Sequence, residues 1–555
     1  MATDFRAQHY TDDFIPGTIN ILSNDGNTQV GLRRLKTVKH GKQEIILSPQ
    51  PSESPNDPLN WSTTRKIGHF VLVSYITGLT AAIANDALAA QTSLNEVYGI
   101  SYAAMNTGAG VLFLGIGYAT LVFAPLSSLY GRRITYLICI LSGLLGNVWF
   151  ATSTKTADTI WSQLFVGVSE ACAEAQVQLL LSDIFFQHQL GSVLTVYILA
   201  TSIGTFLGPL FAHLISSSQG FRWVGWWAVI ICGGSLIVLI FGLEETYFDR
   251  KLYTLAGESD YPQVDVQVDD TKGLEDEPDV SDMERCTITN GDGSSEPLLP
   301  YRKRIRLITK ATNLKGYGFK QYWRYFVMNL KIFTFPAVWL SGLLWGTQDL
   351  LLSFYLTTQD SKFYDEPWNL SETGVALMNI PTLIGACIGC LYAGVLSDYH
   401  TLWLAKRNNG VQEAEFRLWL SFLTLVVSPT GLLLFGICTG REFPWPAIYV
   451  GLGFIGFGWG ASGDLAMSYL MDAYPELVLE GMVGVAIINN TTACIFTFVC
   501  SLWLDSAGTE KSYIALAVVN FAVICLIIPF LKWGKTWRIK TKDAYLRYVE
   551  LREGI

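Results

Sequence analysis

Charged residues are scarce in this sequence. Only 15% of its 555 residues are Asp, Glu, Lys or Arg, while 50% are hydrophobic. A soluble protein of this size usually carries about 25% charged residues. The central parts of the long apolar stretches contain no lysine or arginine at all. This composition excludes an ordinary soluble domain and predicts a protein that crosses a membrane many times.

The sequence also lacks the motifs of a catalytic or nucleic-acid-binding protein. It contains no phosphate-binding glycine loop, no cluster of metal ligands and no nucleophile with its base. The ten cysteines are scattered, nine of them in or beside apolar stretches. We therefore expect no enzyme, no metal, no cofactor and no nucleic-acid partner. The first sixty residues are polar, and no cleavable signal is recognisable in them.

Twelve stretches are long enough to cross a bilayer, which takes about 20 apolar residues each. They predict an all-α membrane protein with two six-helix halves, residues 66–245 and 333–533. A segment at 1–65, an insert at 246–332 and a tail at 534–555 complete the organisation. The predicted spans are 66–89, 102–125, 134–152, 161–184, 190–214, 223–243, 333–357, 371–396, 417–438, 446–472, 479–503 and 512–533.

Lysine and arginine placement predicts the orientation, because these residues favour the cytoplasmic side of a membrane. Arg302–Arg306, Lys406–Arg407 and Lys532–Lys542 all fall on one side of the predicted topology. Both termini and the central insert are therefore predicted to be cytoplasmic. The acidic part of the insert, "GLEDEPDVSDMERC", lacks periodicity and is predicted to be disordered. The basic run after it is expected to lie against anionic headgroups of the bilayer.

Two loops at equivalent positions of the halves resemble each other. "PLSSLYGRR" follows the second span and carries Arg132 and Arg133, and "AGVLSDYHTLWLAKR" follows the eighth span and carries Asp398. Both resemble the loop motif of the major facilitator superfamily. "GTFLGP", Gly204–Pro209 with Gly208 inside it, resembles the antiporter motif of fungal twelve-span drug:proton antiporters. The resemblance implies the major facilitator fold and conformational roles for Arg132, Arg133, Asp398, Gly204, Gly208 and Pro209.

Within this family, the chain resembles a polyamine permease of the yeast plasma membrane that is also associated with histidinol uptake. The resemblance covers "SLNEVYGISY", "SQLFVGVSEACAEAQVQ" and "ITKATNLKGYGFKQYW", among other stretches. Two positions depart from the wider family. Ser128 stands where the loop motif usually has aspartate, and Gln163 stands where many drug antiporters have arginine. The second departure argues against ordinary drug:proton exchange.

Two glutamates lie in the middle of the fourth predicted span, in "VGVSEACAEAQVQ". At 100° per residue, a regular helix places Glu170 and Glu174 on one polar stripe with Gln163, Gly167 and Gln178. Polar stripes on spanning helices face the protein interior or a water-filled cavity. We therefore predict that both glutamates bind substrate.

Three further acids lie in predicted spans: Asp86 in the first, Asp349 in the seventh and Asp464 in the tenth. The family resemblance implies that spans one, four, seven and ten line a central cavity. A charge at the bilayer centre costs about 2.5–3.5 kcal/mol on insertion scales. Five such acids without cationic partners predict partial protonation or neutralisation by a cationic substrate. By contrast, Asp183, Asp472 and Glu244 at span ends are interpreted as solvated or capping residues.

Aromatic and amide residues complete the predicted site. Trp345 lies four residues before Asp349, with Gln348 on the same side, so that a carboxylate and an aromatic face together would suit an ammonium group. Asn379 and Asn489 could bind substrate or join helices through hydrogen bonds. The six glycines of the tenth span predict either close helix packing or a bending helix that gates transport.

The sequence predicts an importer of spermidine, putrescine, spermine and related organic cations. Alternating access would be driven by the membrane potential, and proton symport stays open. Two alternatives remain: an antiporter that exports cationic drugs in exchange for protons, and a cation sensor that does not transport. The partners expected are these cations, possible coupling protons and the lipid bilayer of the plasma membrane.

Overall fold

The computed structural model describes residues 14–20, 29–30, 33–34, 37–40, 43–46, 49, 51–250, 297–312, 314, 316–364 and 366–553. Twelve long helical segments, called spans 1 to 12, dominate this part of the chain. Their bounds are Thr63–Asp86, Tyr102–Tyr130, Arg132–Thr152, Thr156–Ile184, Gln187–Gln219, Arg222–Gly242, Pro336–Lys362, Thr373–Arg407, Ala414–Gly440, Trp445–Ala473, Val478–Ala507 and Thr509–Lys540.

These helices coincide with the twelve predicted spans, and the all-α membrane fold is confirmed. In the described part of the chain, ten helices are long and apolar enough to cross a membrane, or eleven if one bent pair counts as a single span. The bent pair contains span 7. Span 10 is 29 residues long, about 43 Å at 1.5 Å per residue. It is long enough to cross a bilayer but is not one of these ten helices.

The two halves repeat one packing scheme. In the first half, span 1 packs on span 5, span 4 on spans 2 and 3, and span 3 on span 6. In the second half, span 7 packs on span 11, span 10 on spans 8 and 9, and span 9 on span 12. Each contact recurs with every span number raised by six. The halves meet through spans 2 and 11 and through spans 5 and 8, so the chain folds as a parallel internal repeat.

Glycines allow the closest helix contacts in the second half. A Cβ atom on Gly385 of span 8 would lie 1.9 Å from the backbone oxygen of Gly453 in span 10. A Cβ on Gly456 would lie 1.9 Å from the backbone oxygen of Thr382. Small residues let membrane helices approach in this way. The glycines of span 10 therefore support close packing of an unbroken helix, the first of the two expectations stated above.

One end of the bundle carries the basic residues, and it is called the basic end below. The short strand Thr18–Asn20 pairs here in antiparallel fashion with Val411–Glu413. The helix Lys542–Glu553 follows span 12 at the same end. Two further hairpins, Gln29–Val30 with Arg33–Arg34 and Thr37–His40 with Gln43–Ile46, belong to the N-terminal segment.

The insert between the halves is only partly described. Residues 251–296, which include the stretch predicted to be disordered, lie outside the described residues. Further on, Tyr301–Arg304 forms one helical turn, and Phe319–Lys331 forms a helix that continues to Thr334. The segment Phe319–Thr334 meets span 7 at 84°. This orientation suits a helix that lies along a membrane surface while span 7 crosses it.

Candidate functional site

Three of the predicted acids come together between the halves. Glu170 and Glu174 of span 4 and Asp349 of span 7 are close enough to interact electrostatically. Glu170 and Glu174 are partly exposed, whereas the side chain of Asp349 is 9% exposed. No lysine, arginine or histidine in the described part of the chain forms an ion pair with any of them. We call these residues the three-acid cluster.

The regular helix predicted for span 4 is wrong at this point. Residues Cys172–Gln176 form a π-helical turn, in which each hydrogen bond spans five residues rather than four. Glu174 lies inside this turn and Glu170 just before it. The extra residue rotates the later residues of span 4 about the helix axis. The angular position predicted for Gln178 at 100° per residue is therefore not correct. Both glutamates nevertheless lie near Asp349, and the turn itself packs against spans 2 and 11.

An indole that sequence reasoning missed binds the third acid. Trp459 of span 10 donates a hydrogen bond from Nε1 to Oδ1 of Asp349 over 3.0 Å. Its ring lies 4.9 Å from that of Trp345 and 5.7 Å from that of Phe206 in span 5. Trp459 is one of 17 tryptophans, and nothing in its local sequence distinguishes it. Only the packing of span 10 against span 7 brings it to Asp349.

The amides of span 11 face the same cluster. Asn489 lies close to Asp349, and Asn490 lies close to Glu174. Asn489 is fully buried, and Asn490 also donates to the backbone oxygen of Ala486 over 2.8 Å. The predicted Trp345 is 5% exposed and packs against Trp459, with the two rings tilted by 48°. Carboxylates, aromatic faces and amides are thus gathered from spans 4, 7, 10 and 11.

Asp464 has a different environment. Its fully buried carboxylate accepts hydrogen bonds from Thr195 Oγ1 of span 5 over 3.3 Å and from Ser468 Oγ over 3.2 Å. Thr195 belongs to the first half and Asp464 to the second, so this bond joins the halves. A Cβ on Gly394 of span 8 would lie 1.5 Å from Thr195 Oγ1. The hydrogen bond between Thr195 and Asp464 lies between the three-acid cluster and the basic end. Asp464 thus has hydrogen-bond partners within the protein.

The other predicted binding residues also have partners outside the cluster. Asp86 is the last residue of span 1, and its electrostatic neighbour is Cys232 of span 6. Gln348 is 2% exposed and donates to Asn520 of span 12 over 3.2 Å. Asn379 accepts a hydrogen bond from Tyr355 and donates to a backbone oxygen of its own helix. The amide contacts join helices to one another.

The predicted gating arginines form a network at the basic end of the first half. Arg132 pairs with Asp183 at the end of span 4 over 3.2 Å, and Arg133 donates to the backbone oxygen of Ile240. Glu245 accepts from the backbone N–H groups of Arg132 and Arg133 over 2.9 and 3.3 Å. A carboxylate at the start of a helix stabilises its positive dipole end. Asp183 is therefore half of an ion pair rather than a solvated residue.

The second half repeats this network with an arginine that sequence reasoning missed. Arg417 pairs with Asp398 over 2.9 Å and with Asp472, at the end of span 10, over 2.5 Å. It is 7% exposed. Asp472 and Asp183 occupy equivalent positions in the internal repeat, so each half has an arginine–aspartate ion pair at its basic end. The repeat itself was the available signal, since Arg417 lies at the start of span 9 as Arg132 lies at the start of span 3.

The predicted antiporter motif packs span 5 on span 1. A Cβ on Gly204 would lie 2.0 Å from the backbone oxygen of Gly78, and a Cβ on Gly208 would lie 2.7 Å from Cα of Ala82. Pro209 lies within the same helix. These residues thus allow two helices of the first half to approach closely.

Several comparisons with known proteins agree with this architecture. The sequence profile of the Major Facilitator Superfamily matches residues 70–496. The chain is 57% identical to Protein HOL1 of Saccharomyces cerevisiae, covering 98% of both chains. It is 46% identical to an uncharacterized MFS-type transporter of Schizosaccharomyces pombe, covering 97% of this chain and 95% of that one.

A solved structure is similar in fold. The human organic anion transporter MFSD10 (TETRAN) superposes with a TM-score of 0.52 at 15% identity, covering 84% of this chain and 100% of that chain. The repeated six-helix halves, the matching profile and the two fungal relatives together establish the family and exclude an enzyme. The chain belongs to the Major Facilitator Superfamily and is a multi-pass membrane transporter.

Proposed function

We propose that this transporter imports polyamines and related organic cations across the plasma membrane, with both termini and the basic end in the cytoplasm. The observation that carries the proposal is the three-acid cluster. Glu170, Glu174 and Asp349 lie in mid-membrane without a cationic partner among the described residues. A cationic substrate would neutralise them. The resemblance of long stretches of the sequence to polyamine permeases supports the same substrate class.

The arrangement of the acids favours an extended polycation over a compact monovalent cation. Glu170 and Glu174 would bind one amine from span 4, and Asp349 would bind another from span 7. The indole rings of Trp345 and Trp459 lie beside Asp349 and would cover the methylene chain between the amines. Cation–π attraction in a desolvated site contributes up to about 2 kcal/mol more.

Import of such a substrate is favourable without another driving ion. Each positive charge that moves inward gains about 2.3 kcal/mol per 100 mV of inside-negative potential. A trication gains about 7 kcal/mol, and at about 1.4 kcal/mol per decade this supports roughly five decades of accumulation. Export would have to overcome the same free energy and would need proton exchange. Titratable acids in the site would also allow proton symport.

The decisive experiment is the flux of radiolabelled spermidine into proteoliposomes, with the membrane potential and the pH gradient imposed separately. Uptake driven by an inside-negative potential alone is the expected result. Uptake enhanced by an inward proton gradient would add symport. Movement only with an oppositely directed proton gradient would make the protein a drug:proton antiporter. Spermidine binding without flux would identify a cation sensor and overturn the proposed import.

A further inference from the structure

A short N-terminal segment docks onto the second half at the basic end. We call residues 14–20 the docking segment. Thr18–Asn20 adds a strand to Val411–Glu413, which directly precedes span 9. The backbone N–H of Ala414 donates to the oxygen of Gly17 over 3.2 Å. The ring of Phe14 stacks on that of Tyr545 in the C-terminal helix, with 6.3 Å between centroids.

A buried arginine holds the docking segment in place. Arg538, near the end of span 12, is 1% exposed and pairs with Glu415 over 2.8 and 2.5 Å. Its remaining nitrogen donates to the backbone oxygen of Pro16 and to Thr18 Oγ1, the latter over 3.0 Å. Buried guanidinium donors need acceptors. The docking segment supplies two of the acceptors that Arg538 uses.

The docking segment also contacts the end of span 10. Gly17 has a φ of +72°, and a Cβ atom there would lie 2.7 Å from the backbone oxygen of Asp472 and 2.8 Å from Cα of Ala473. A left-handed φ and so little space both favour glycine at this position. Asp472 is in turn bound by Arg417. The last residues of span 10 are therefore fixed by the docking segment on one side and by Arg417 on another.

Span 10 connects this contact to the junction between the halves. Asp464 lies two helical turns before Asp472 and accepts the hydrogen bond from Thr195 of span 5. In the chain, the docking segment precedes span 1 of the first half. In space, the partners named above all belong to the second half or to the C-terminal helix. Its contacts therefore fix the end of the helix whose position determines whether Asp464 reaches Thr195.

We infer that the docking segment is an intramolecular latch. Docked, it holds the end of span 10 where Asp464 bonds Thr195, and it thereby favours the conformation that is closed at the basic end. Undocked, it frees span 10 to move away from span 5 and opens the path from the binding site to this side. The inference goes beyond the substrate proposal, because it concerns the conformational equilibrium and holds for any transported compound.

Cys390 offers a native reporter for this opening. It is fully buried in span 8, and its Sγ lies 3.8 Å from Ser202 Oγ of span 5 across the contact between the halves. Its alkylation by a membrane-impermeant maleimide would be measured by peptide mass spectrometry. The full chain would be used, in vesicles with the basic end outward and without substrate. This readout stays valid even if spermidine is not the substrate.

The test substitution is Gly17→Val, which should expel the docking segment. We expect labelling of Cys390 to become about tenfold faster, within the range usual for conformational coupling. Gly234→Val adds the same side chain where nothing lies within 4 Å and should leave labelling unchanged. A chain that lacks residues 1–20 should label as fast as Gly17→Val. Addition of the peptide FIPGTIN, residues 14–20, should slow the labelling of the shortened chain again. The same peptide with valine in place of glycine should not change the labelling rate.

Two results would overturn the latch. Unchanged labelling in both Gly17→Val and the shortened chain, at normal membrane abundance, would mean that the docking segment does not bias the equilibrium. Loss of both proteins from the membrane, without recovery on peptide addition, would make the segment a structural part of the second half rather than a latch.

Discussion

Neutralising Glu170 should change the substrate preference as well as the affinity. In the proposed binding mode Glu170 and Glu174 share one amine and Asp349 binds another. The three carboxylates together balance the charge of a trication such as spermidine, whereas Glu174 and Asp349 alone balance that of a dication such as putrescine. The substitution Glu170→Gln keeps the shape of the side chain and leaves Glu174 and Asp349 in place. The variant should therefore bind spermidine much more weakly and bind putrescine almost as before.

The magnitude follows from the loss of one buried charge pair. Removing one partner of such a pair costs about 2–5 kcal/mol, which at about 1.4 kcal/mol per decade is a roughly 30- to 3,000-fold increase in the spermidine Kd. For putrescine we expect an increase below about tenfold, less than 1.4 kcal/mol. Equilibrium binding of both radiolabelled amines to protein in lipid nanodiscs would measure the two values side by side.

Asp158 provides a matched control on the same helix. It lies in the first turn of span 4, at a partly exposed position where it accepts a hydrogen bond from Trp149. Asp158→Asn removes the same charge and should change neither Kd. An equal loss of both substrates in Glu170→Gln would indicate a structural role for Glu170. Unchanged spermidine binding would refute its assignment to the site.

Three further substitutions test the neighbouring structure. Trp459→Phe keeps an aromatic ring but removes the donor to Asp349, so spermidine KM should rise about tenfold through the loss of about 1.5 kcal/mol, measured by uptake kinetics. Arg417→Ala leaves two carboxylates uncompensated and should destabilise the protein by about 3–5 kcal/mol, measured by denaturation in detergent. Gly385→Ala forces spans 8 and 10 apart at a cost of about 1–3 kcal/mol, measured as membrane abundance and thermal stability.

Each of these substitutions has a control. Trp345→Phe should change KM less than Trp459→Phe, because the indole nitrogen of Trp345 has no hydrogen-bond partner among the described residues. Arg417→Lys keeps the charge and should restore part of the lost stability. Gly234→Ala adds a methyl group in open space and should be harmless. Equal effects of the two tryptophan substitutions would argue against the donor role of Trp459.

Sequence reasoning located the helices well, because a membrane imposes length and apolarity on each span. It also identified the acids that form the cluster, since a charge in mid-membrane is costly wherever the helix lies. It failed at Trp459 and Arg417. Tryptophan is common in this chain, and Arg417 stands at the edge of an apolar stretch, so neither has a local signal. Their roles depend on which helix packs beside them.

Local periodicity also misplaced part of the predicted site. Gln348 was expected beside Asp349 in the cavity, yet it lies on the side of span 7 that meets Asn520 of span 12. The π-helical turn at Cys172–Gln176 changes the rotation of span 4 in a way that a count of 100° per residue does not anticipate. Such a turn is held by its neighbours in the fold and leaves no clear pattern in the sequence.

The sequence by itself determined the membrane environment of this protein, its twelve helices, its internal repeat and the negative charge of its candidate site. Each of these follows from the hydropathy, length and charge of local stretches. Tertiary structure alone decided which acids share a cluster, which arginines neutralise the span ends and where the N-terminal segment docks. Those outcomes depend on contacts between residues far apart in the chain, such as Pro16 and Arg538, whose free energy is set by the packing of whole helices.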